Sequence, residues 1–292
     1  MEKISLAQFL RKYNNDDACL AQLVDVKYPQ GIYCETCKQI SKFYKVKGRP
    51  VYQCSCGYQI SPLASTIFEK TTTPLQYWFY AMFVMTVTRS GISAKQLQRE
   101  LGVTYKTAWR MMKQIRILMA NVDKPKLMGV VEIDETFVGG KGKNRAYVWH
   151  GNEKEKDILM GMLERDGKAY IKHIPNTGKW TLIKQINDNV DRTARVMTDE
   201  FVGYIQLAKY GYAHSAVKHK ANVYSRGEVH TQNIEGLWSG LKRGIYGVYR
   251  HVSKKHLQSY ADEYSFRYNN RKSVNMFDVL LSQVGEINVI KS

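Results

Sequence analysis

The period of the hydrophobic positions changes near residue 127, and this change divides the chain into two parts. Before it, apolar side chains recur at helical spacing, and the most apolar run, residues 77–87, predicts a buried helix. After it, short apolar runs predict strands at 130–133, 158–163, 169–174 and 195–198, with helices at 180–190 and 232–246. Strands in succession that then alternate with helices indicate a mixed α/β domain.

Four segments follow from these patterns. Residues 1–30 predict two short helices, and residues 31–62 change to a segment rich in cysteine, basic and aromatic residues. Residues 63–121 are predicted to be helical from Pro74 onwards, since proline is favoured at a helix start. Charge and a proline in residues 122–126 mark a linker, and the α/β domain is expected to occupy residues 127–284.

The charge of the chain is far from balanced. Its 292 residues include 44 Lys and Arg against 26 Asp and Glu, a formal net charge of +18. Nucleic acid is the first candidate partner, because each phosphate that a basic residue neutralises releases a counterion. The N-terminus shows no secretory signal, and no apolar run approaches the ~20 residues that span a bilayer. We therefore expect a cytoplasmic, nucleoid-associated protein that has DNA as its partner and no membrane.

Four of the five cysteines form two close pairs. Cys34 and Cys37 have the C-x2-C spacing with which two thiolates reach one tetrahedral zinc ion. Cys54 and Cys56 follow after sixteen intervening residues, as a C-x-C pair one residue shorter than in most ribbons. Four free thiols are the alternative, but two pairs at this separation favour a structural Zn²⁺ ion. Cys19 stands outside the pattern and is expected in the core.

Residues 91–110 predict two helices joined by a tight turn. Ser93 and Gln96 form a capping box, Gly102 suits a left-handed turn, and Thr104 can cap the second helix. Such a pair can place its second helix in the major groove of DNA. An ordinary hairpin with a solvated basic face is the alternative, but residues 95–126 hold eight basic against two acidic residues. The side chains expected to contact DNA are Tyr105, Lys106, Arg110 and Lys113.

Three acidic residues differ in context from the acids of the polar surface runs. Asp134 and Asp199 each end an apolar strand, and Glu235 lies near the start of a helix. Acids at strand ends face the rim of a sheet, where α/β proteins build their sites. Their oxygens suit Mg²⁺ or Mn²⁺, and two such ions ~3.5–4 Å apart activate an attacking oxygen and stabilise a leaving one. We expect a two-metal site at these residues.

Lys242 is expected on the same helix face as Glu235. The two residues are seven positions apart, nearly two helical turns, with Trp238 between them. This places a cation ~10 Å along the helix from the carboxylate, where a DNA phosphate next to the metals would pass. A solvated surface lysine is the alternative, but residues 242–272 hold eight basic against two acidic residues. We expect Lys242 to contact DNA phosphate.

The chain resembles the zinc-ribbon insertion-sequence transposases of the DDE type, the ISXO-like group. The resemblance covers nearly the whole chain. It rests on residues 132–141 around Asp134, residues 198–201 around Asp199, the run 230–270 that includes Glu235, the cysteine pairs, and residues 65–68 and 91–109. It implies an RNase H-like integrase core and a cut-and-join reaction on the inverted-repeat ends of the element and on target DNA.

The resemblance leaves the third metal ligand open. Some members of the group use Asn in place of the third acid, so Asn233 is a rival to Glu235, which we favour because a charged oxygen binds Mg²⁺ better. Glu132 shares a strand face with Asp134. Two neighbouring acids are expected to point the other way: Glu135 and Glu200.

The sequence thus predicts a metal-dependent transposase whose catalytic domain is 127–284 and whose ribbon and helix-turn-helix bind the element ends. We expect a homo-oligomer when the protein is bound to DNA. A non-catalytic DNA-binding regulator descended from such an enzyme is the alternative from another class. It would need only the first 120 residues, and the three acids argue against it. A nuclease without joining activity is a third possibility.

Overall fold

The structure is a computed structural model that describes residues 4–120, 124–139, 156–216 and 231–286. The chain forms two compact units, the first made of Met1–Val122 with Lys272–Ser292 and the second of Asp123–Arg271. Val122 and Asp123 of the expected linker lie outside the described residues, as do residues 140, 141 and 230 of the motifs. No helix in the described ranges is long and apolar enough to cross a membrane.

Unit 1 contains six helices in its described part, and most of them begin at a polar cap. Ser5 and Gln8 form a reciprocal capping box, and Asn15 caps the next helix through its side chain. The apolar run after Pro74 forms the buried helix that its composition predicts, with Pro74 at the cap position. The helices are α1 (Leu6–Lys12), α2 (Asp16–Lys27), α3 (Leu75–Val87), α4 (Ala94–Leu101), α5 (Tyr105–Ala120) and α9 (Met276–Glu286).

The core of unit 1 includes a cluster of aromatic rings. Phe277 of α9 packs within 6.4 Å, centroid to centroid, of rings on α1 and α3 and of the ring that follows α1: Phe9, Tyr13, Phe79 and Phe83. The predicted catalytic domain extends to residue 284 and so includes most of α9, whereas this helix packs in unit 1. This helix packs its apolar side chains against the aromatic helices of unit 1. The two segments are far apart in the sequence, so no local pattern predicts the contact.

Short strands build the cysteine-rich segment of unit 1. The pair β1 (Ile32–Cys34) and β2 (Gln39–Ser41) is antiparallel, and β3 (Phe43–Lys45), β4 (Tyr52–Cys54) and β5 (Gln59–Ile60) form an antiparallel sheet of three strands. The strands have two or three residues each, too little apolar surface for a core of their own. A metal is therefore the expected source of stability in this segment.

Unit 2 is a five-stranded mixed sheet with helices on both faces. Its strands are β6 (Val130–Val138), β7 (Asp157–Glu164), β8 (Ala169–Ile174), β9 (Arg195–Thr198) and β10 (Ala213–Ala216), in the spatial order β10-β9-β6-β7-β8. The strands β9 and β10 run parallel to β6, whereas β7 runs antiparallel to it. The edge strand β8 pairs antiparallel with β7. This arrangement, with Asp134 on the central strand, confirms the predicted RNase H-like core.

The two faces of this sheet carry separate cores. Val131 and Ile133 of β6 pack with α6 (Lys179–Asn189), whereas Leu159 and Leu163 of β7 pack with α7 (Gln232–Lys242) and α8 (Lys254–Asn269). The alternation of side chains along β6 therefore directs Glu132 and Asp134 toward α7. The helix expected over 232–246 ends at Lys242 and continues as a π-helical segment, Arg243–Tyr249.

Candidate functional site

The three acids singled out in the sequence come from three elements of unit 2 that meet. Asp134 lies within β6, Asp199 directly follows β9, and Glu235 lies in the first turn of α7. In the parallel pair of β6 and β9, Glu132 lies opposite Met197. The pairing ends there, and Asp199 follows two residues later, close enough to Asp134 for its charge to raise the pKa of that carboxyl. The acids therefore lie close together at the end of β9, where β6 continues without β9 as its partner.

Electrostatics shows that the three carboxylates interact. Burial raises the pKa of Asp134, and the charges of Asp199 and Glu235 raise it further. Hydrogen bonds from the Trp238 indole and the Glu135 backbone act in the opposite direction and lower this pKa. Trp238 Nε1 donates to Asp134 Oδ2 at 2.9 Å, which fixes the orientation of the carboxylate.

A cleft of about 390 Å³ opens at Asp134 and Glu235. Its walls come from the second half of β6 and from one face of α7, with Asp134, Glu135, Thr136, Glu235, Trp238, Ser239 and Lys242 as lining residues. Glu235, Trp238 and Lys242 share one face of α7, as their spacing predicts. The cleft thus holds a carboxylate-rich end and a cation along the same helix.

Glu135 also belongs to this cleft, although strand alternation predicts that it points away from Asp134. It accepts a hydrogen bond from Tyr204 on the other face of the sheet. In the described part of the sheet, β9 pairs only with residues 130–132 of β6. Beyond residue 132 that edge of β6 has no pairing with β9, so side chains from both faces of the sheet can reach it. Burial, with the charges of Asp134 and Asp199, raises the pKa of Glu135 to about 8.

Both nitrogen donors of Asn233, the rival third ligand, bind Glu132. Its side-chain Nδ2 donates to Glu132 Oε1 at 2.8 Å and its backbone N–H donates to Glu132 Oε2 at 3.1 Å. The residues lining the cleft include Glu235 and not Asn233. The position of Glu235 therefore favours it as the acid that completes the group. Glu200 is exposed on the surface.

The position opposite Asp134 on the neighbouring strand is a glycine for a steric reason. Gly161 of β7 pairs with Asp134, and a Cβ atom built on it would lie 2.7 Å from the ring of Trp238. Real Cβ atoms do not approach so closely, so Gly161 provides the space in which the indole lies over the sheet. This space lets the indole N–H reach Asp134.

The donor atoms of this group fit a divalent metal. Carboxylate oxygens are hard ligands of the kind that Mg²⁺ and Mn²⁺ accept. Several carboxylates in one partly buried place repel each other, and a divalent cation removes this repulsion. Asp134, Asp199 and Glu235 are the residues that could hold it.

The four paired cysteines converge in unit 1. One sulfur atom from each of Cys34, Cys37, Cys54 and Cys56 lies within 4.8 Å of the others, with Cys34–Cys56 at 3.5 Å and Cys37–Cys54 at 3.9 Å. Four sulfurs at ~2.3 Å from a tetrahedral zinc ion are separated by about 3.8 Å. The cluster therefore fits a zinc ribbon, and Cys19 is buried in the core as expected.

Local backbone geometry explains how the short second pair of cysteines joins the cluster. Gly57 takes a positive φ of 95° directly after Cys56, and its N–H donates to the carbonyl of Cys54 at 2.9 Å. A left-handed residue turns the chain tightly, which compensates for the missing residue. The backbone N–H of Cys56 also donates to the Cys54 sulfur and lowers the pKa of that thiol to about 6.

The predicted helix-turn-helix is formed by α4 and α5. Ser93 caps α4, Gly102 ends it at a φ of 64°, and the Thr104 hydroxyl accepts from the N–H of Thr107. The side chain of Gln96 binds Glu100 at 2.9 Å and does not complete the expected capping box. The four residues expected to contact DNA are all exposed: Tyr105, Lys106, Arg110 and Lys113.

Three residues of the site carried no assigned role in the sequence. The sequence predicts Glu132 on the face of Asp134 and Trp238 between Glu235 and Lys242, but their hydrogen bonds follow only from the contact of β6 with α7. Strand alternation predicts Glu135 on the opposite face. The sequence signal for these contacts is that three acids, Glu132, Asp134 and Glu135, lie within an otherwise apolar strand. A charged side chain is rarely buried without a partner, so this pattern indicates that partners exist.

Comparison with known proteins agrees with these features. Residues 126–269 match the family model of the ISXO2-like transposase domain. A protein of Halobacterium salinarum, described as an uncharacterized protein in transposable element ISH50, is 28% identical over 84% of this chain and 88% of its own. An uncharacterized transposase-like protein of Haemophilus influenzae is 25% identical over 39% of this chain and 90% of its own.

Solved structures with partial similarity are transposase complexes. A pre-cleavage Mos1 transpososome has a TM-score of 0.31 and 11% identity, covering 66% of this chain and 71% of its own. A mariner Mos1 paired end complex with Mg has a TM-score of 0.29 and 14% identity, covering 66% of this chain and 71% of its own.

Proposed function

We propose that this chain, which belongs to the ISXO2-like transposases through its residues 126–269, is an active DDE transposase that cuts and joins DNA. The observation that carries the proposal is the grouping of three acids in an RNase H-like core: Asp134 and Glu235 line one cleft, and the charge of Asp199 acts on Asp134. A DNA-binding regulator would have no need of such a group.

The acids hold Mg²⁺ or Mn²⁺, two ions per site. When bound, such a pair activates the attacking oxygen and stabilises the leaving oxygen of the phosphodiester. Trp238 orients the Asp134 carboxylate by donating to Oδ2. Lys242 lies on the same cleft wall as Glu235, and its ammonium group contacts a phosphate next to the one that reacts.

Binding to the element ends is the task of unit 1. The exposed basic face of α5 enters the major groove, with Lys106 and Arg110 as the principal contacts. The cysteine cluster holds one structural Zn²⁺ ion, which stabilises the ribbon beside it. The net charge of +18 supports DNA, both element ends and target, as the partner. Both element ends take part in one reaction, so the DNA-bound form is a homo-oligomer. Its location is the cytoplasm, at the nucleoid.

A strand-transfer assay with DNA that carries the flanking inverted repeats tests the proposal. We expect cleavage and joining with Mg²⁺ and none with chelator. Asp134→Asn, Asp199→Asn and Glu235→Gln should abolish both steps while a mobility-shift assay still shows end-binding. Glu200→Gln, an exposed acid beside Asp199, is the matched control and should keep full activity.

Each of the other outcomes would support a different function or a different third ligand. End-binding by the wild-type chain without any cleavage would support the regulator. Cleavage without joined product, with all three acids required, would support a nuclease. Full activity in Glu235→Gln would contradict the role of this glutamate and make Asn233 or Glu132 the third ligand.

A further inference from the structure

Glu132 is a fully buried carboxylate two residues before Asp134 on β6. We infer that it is a positioning residue that clamps the start of α7 to β6 and thereby places Glu235 at Asp134. The inference rests on the proposed function, because its consequence is the assembly of the metal-binding acids. Glu132 itself does not line the cleft.

The contacts of Glu132 join three elements. Oε2 accepts from the backbone N–H groups of Asn233 and Ile234, both at 3.1 Å. Oε1 accepts from Asn233 Nδ2 and from Arg165 Nε, both at 2.8 Å. Asn233 and Ile234 are in the first turn of α7, and Arg165 directly follows β7. One carboxylate thus joins the helix start to two neighbouring strands.

Glu132 takes the place of a local helix cap. The cap residue of α7, Thr231, makes no side-chain hydrogen bond to the helix, although threonine often serves as a cap. The first N–H groups of a helix have no partner within the helix, and they attract negative charge. Here these groups are satisfied by a side chain from the sheet, so the cap also determines where the helix lies.

The chemistry of this contact requires an ionised glutamate. The four groups described above as bound to Glu132 are all donors, and only a carboxylate can accept at both ends without offering a hydrogen. Glutamine has the same shape, but its NH₂ group would face donors. The positive charge of Arg165 and the helix N-terminus compensates the buried negative charge.

A second contact fixes the rotation of α7. Trp238 follows Ile234 by four residues, about one turn, and donates to Asp134 Oδ2. Glu132 and Asp134 lie on the same face of β6, so the strand holds the helix at two points one turn apart. With both points held, Glu235 and Lys242 face the cleft. The clamp also gives Asn233 a role other than that of a metal ligand.

The experiment uses the full-length protein and Glu132→Gln. Isothermal titration with Mg²⁺ measures metal affinity, and hydrogen exchange of the segment 231–238 measures the helix start. We expect about 10- to 100-fold weaker Mg²⁺ binding, the range for residues that orient ligands. Exchange at the amides of Asn233 and Ile234 should be faster. The Mg²⁺ concentration that half-saturates DNA cleavage should rise by the same factor.

Two further variants separate positioning from stability and from ligation. Glu263→Gln removes another fully buried glutamate of unit 2, paired with Arg267 at 2.6 Å within α8. It should lower stability without changing Mg²⁺ affinity. Glu235→Gln should weaken Mg²⁺ binding without faster exchange at the helix start, because it removes a ligand and leaves the clamp.

Asn233→Asp keeps the inference testable if Glu132→Gln does not fold. It places a second carboxylate beside Glu132, so a clamp predicts weaker Mg²⁺ binding and faster exchange, whereas a metal ligand at 233 predicts tighter binding. Unchanged Mg²⁺ affinity in folded Glu132→Gln, or tighter binding by Asn233→Asp, would overturn the inference. Wild-type protein that binds Mg²⁺ but cuts no DNA would refute the proposed function only, since affinity and exchange still decide the role of Glu132.

Discussion

Replacing Glu135 by glutamine tests the electrostatics of the cleft without any assay of activity. Burial and the charges of Asp134 and Asp199 raise the pKa of Glu135 from its ordinary 4.5 to about 8. Near pH 7 the folded protein therefore keeps a proton that the unfolded chain has released. Glutamine has the shape of the protonated acid, and its oxygen can still accept the hydrogen bond from Tyr204.

The sign and the size of the effect follow from this difference. Because the folded state binds the proton more tightly, the stabilisation is complete below pH ~4.5 and is lost as the pH rises through about 8. Each unit of pKa corresponds to about 1.4 kcal/mol, so a rise of about 3.5 sets an upper bound of about 5 kcal/mol. Water entry and side-chain rotation relieve part of this penalty, and we expect on the order of 2 kcal/mol.

Thermal unfolding in the presence of EDTA, at pH 5 and at pH 8.5, measures the effect. At pH 5, close to the ordinary pKa of 4.5, the Tm of Glu135→Gln should exceed that of wild type by much less than at pH 8.5. At pH 8.5 the variant should unfold roughly 4–8 °C higher, the shift for about 2 kcal/mol in a unit of this size. Adding Mg²⁺ should narrow the gap, because a cation stabilises the ionised carboxylates.

The matched control is Glu200→Gln, which removes an exposed acid next to Asp199. It should leave Tm within about 1 °C of wild type at both pH values, as surface substitutions do. A Tm difference for Glu135→Gln that is equal at pH 5 and pH 8.5 would refute the reasoning. A variant that is less stable at pH 8.5 would show that the charge of Glu135 stabilises the fold.

Four further outcomes are expected. Lys242→Ala should slow strand transfer, while Lys242→Arg should keep more activity. Wild-type rates for the alanine variant at moderate salt would contradict the proposed contact of Lys242 with phosphate. Lys106→Ala and Arg110→Ala should each weaken binding to element ends and lower the salt slope by about one, and unchanged mobility shifts would contradict this. Metal analysis should find about one zinc per chain and a loss of zinc in Cys56→Ser, whereas zinc-free wild type would contradict the cluster. Gly161→Ala should displace Trp238 from Asp134 and cost about 1–3 kcal/mol of stability with loss of cleavage, and an unaffected enzyme would show that the indole can shift.

Local patterns determined most of the secondary structure and the candidate residues. Strand periodicity predicted the elements that carry Asp134 and Asp199, and a capping serine with Gly102 predicted the turn between α4 and α5. These signals are readable in the sequence because they depend on neighbours within a few residues. The spacing of the cysteine pairs belongs to the same class, since two ligands on one turn reach one metal.

Only the tertiary structure decided which distant residues meet. The sequence placed α9 in the second domain, and its packing against Phe9 and Phe79 depends on shape that no local pattern encodes. The sequence favours Glu235 over Asn233 as the third ligand on charge alone, and only the contact of β6 with α7 shows that Nδ2 of Asn233 donates to Glu132. The hydrogen bonds of a buried charge depend on which donors folding brings within 3 Å, so they are a property of the assembled core.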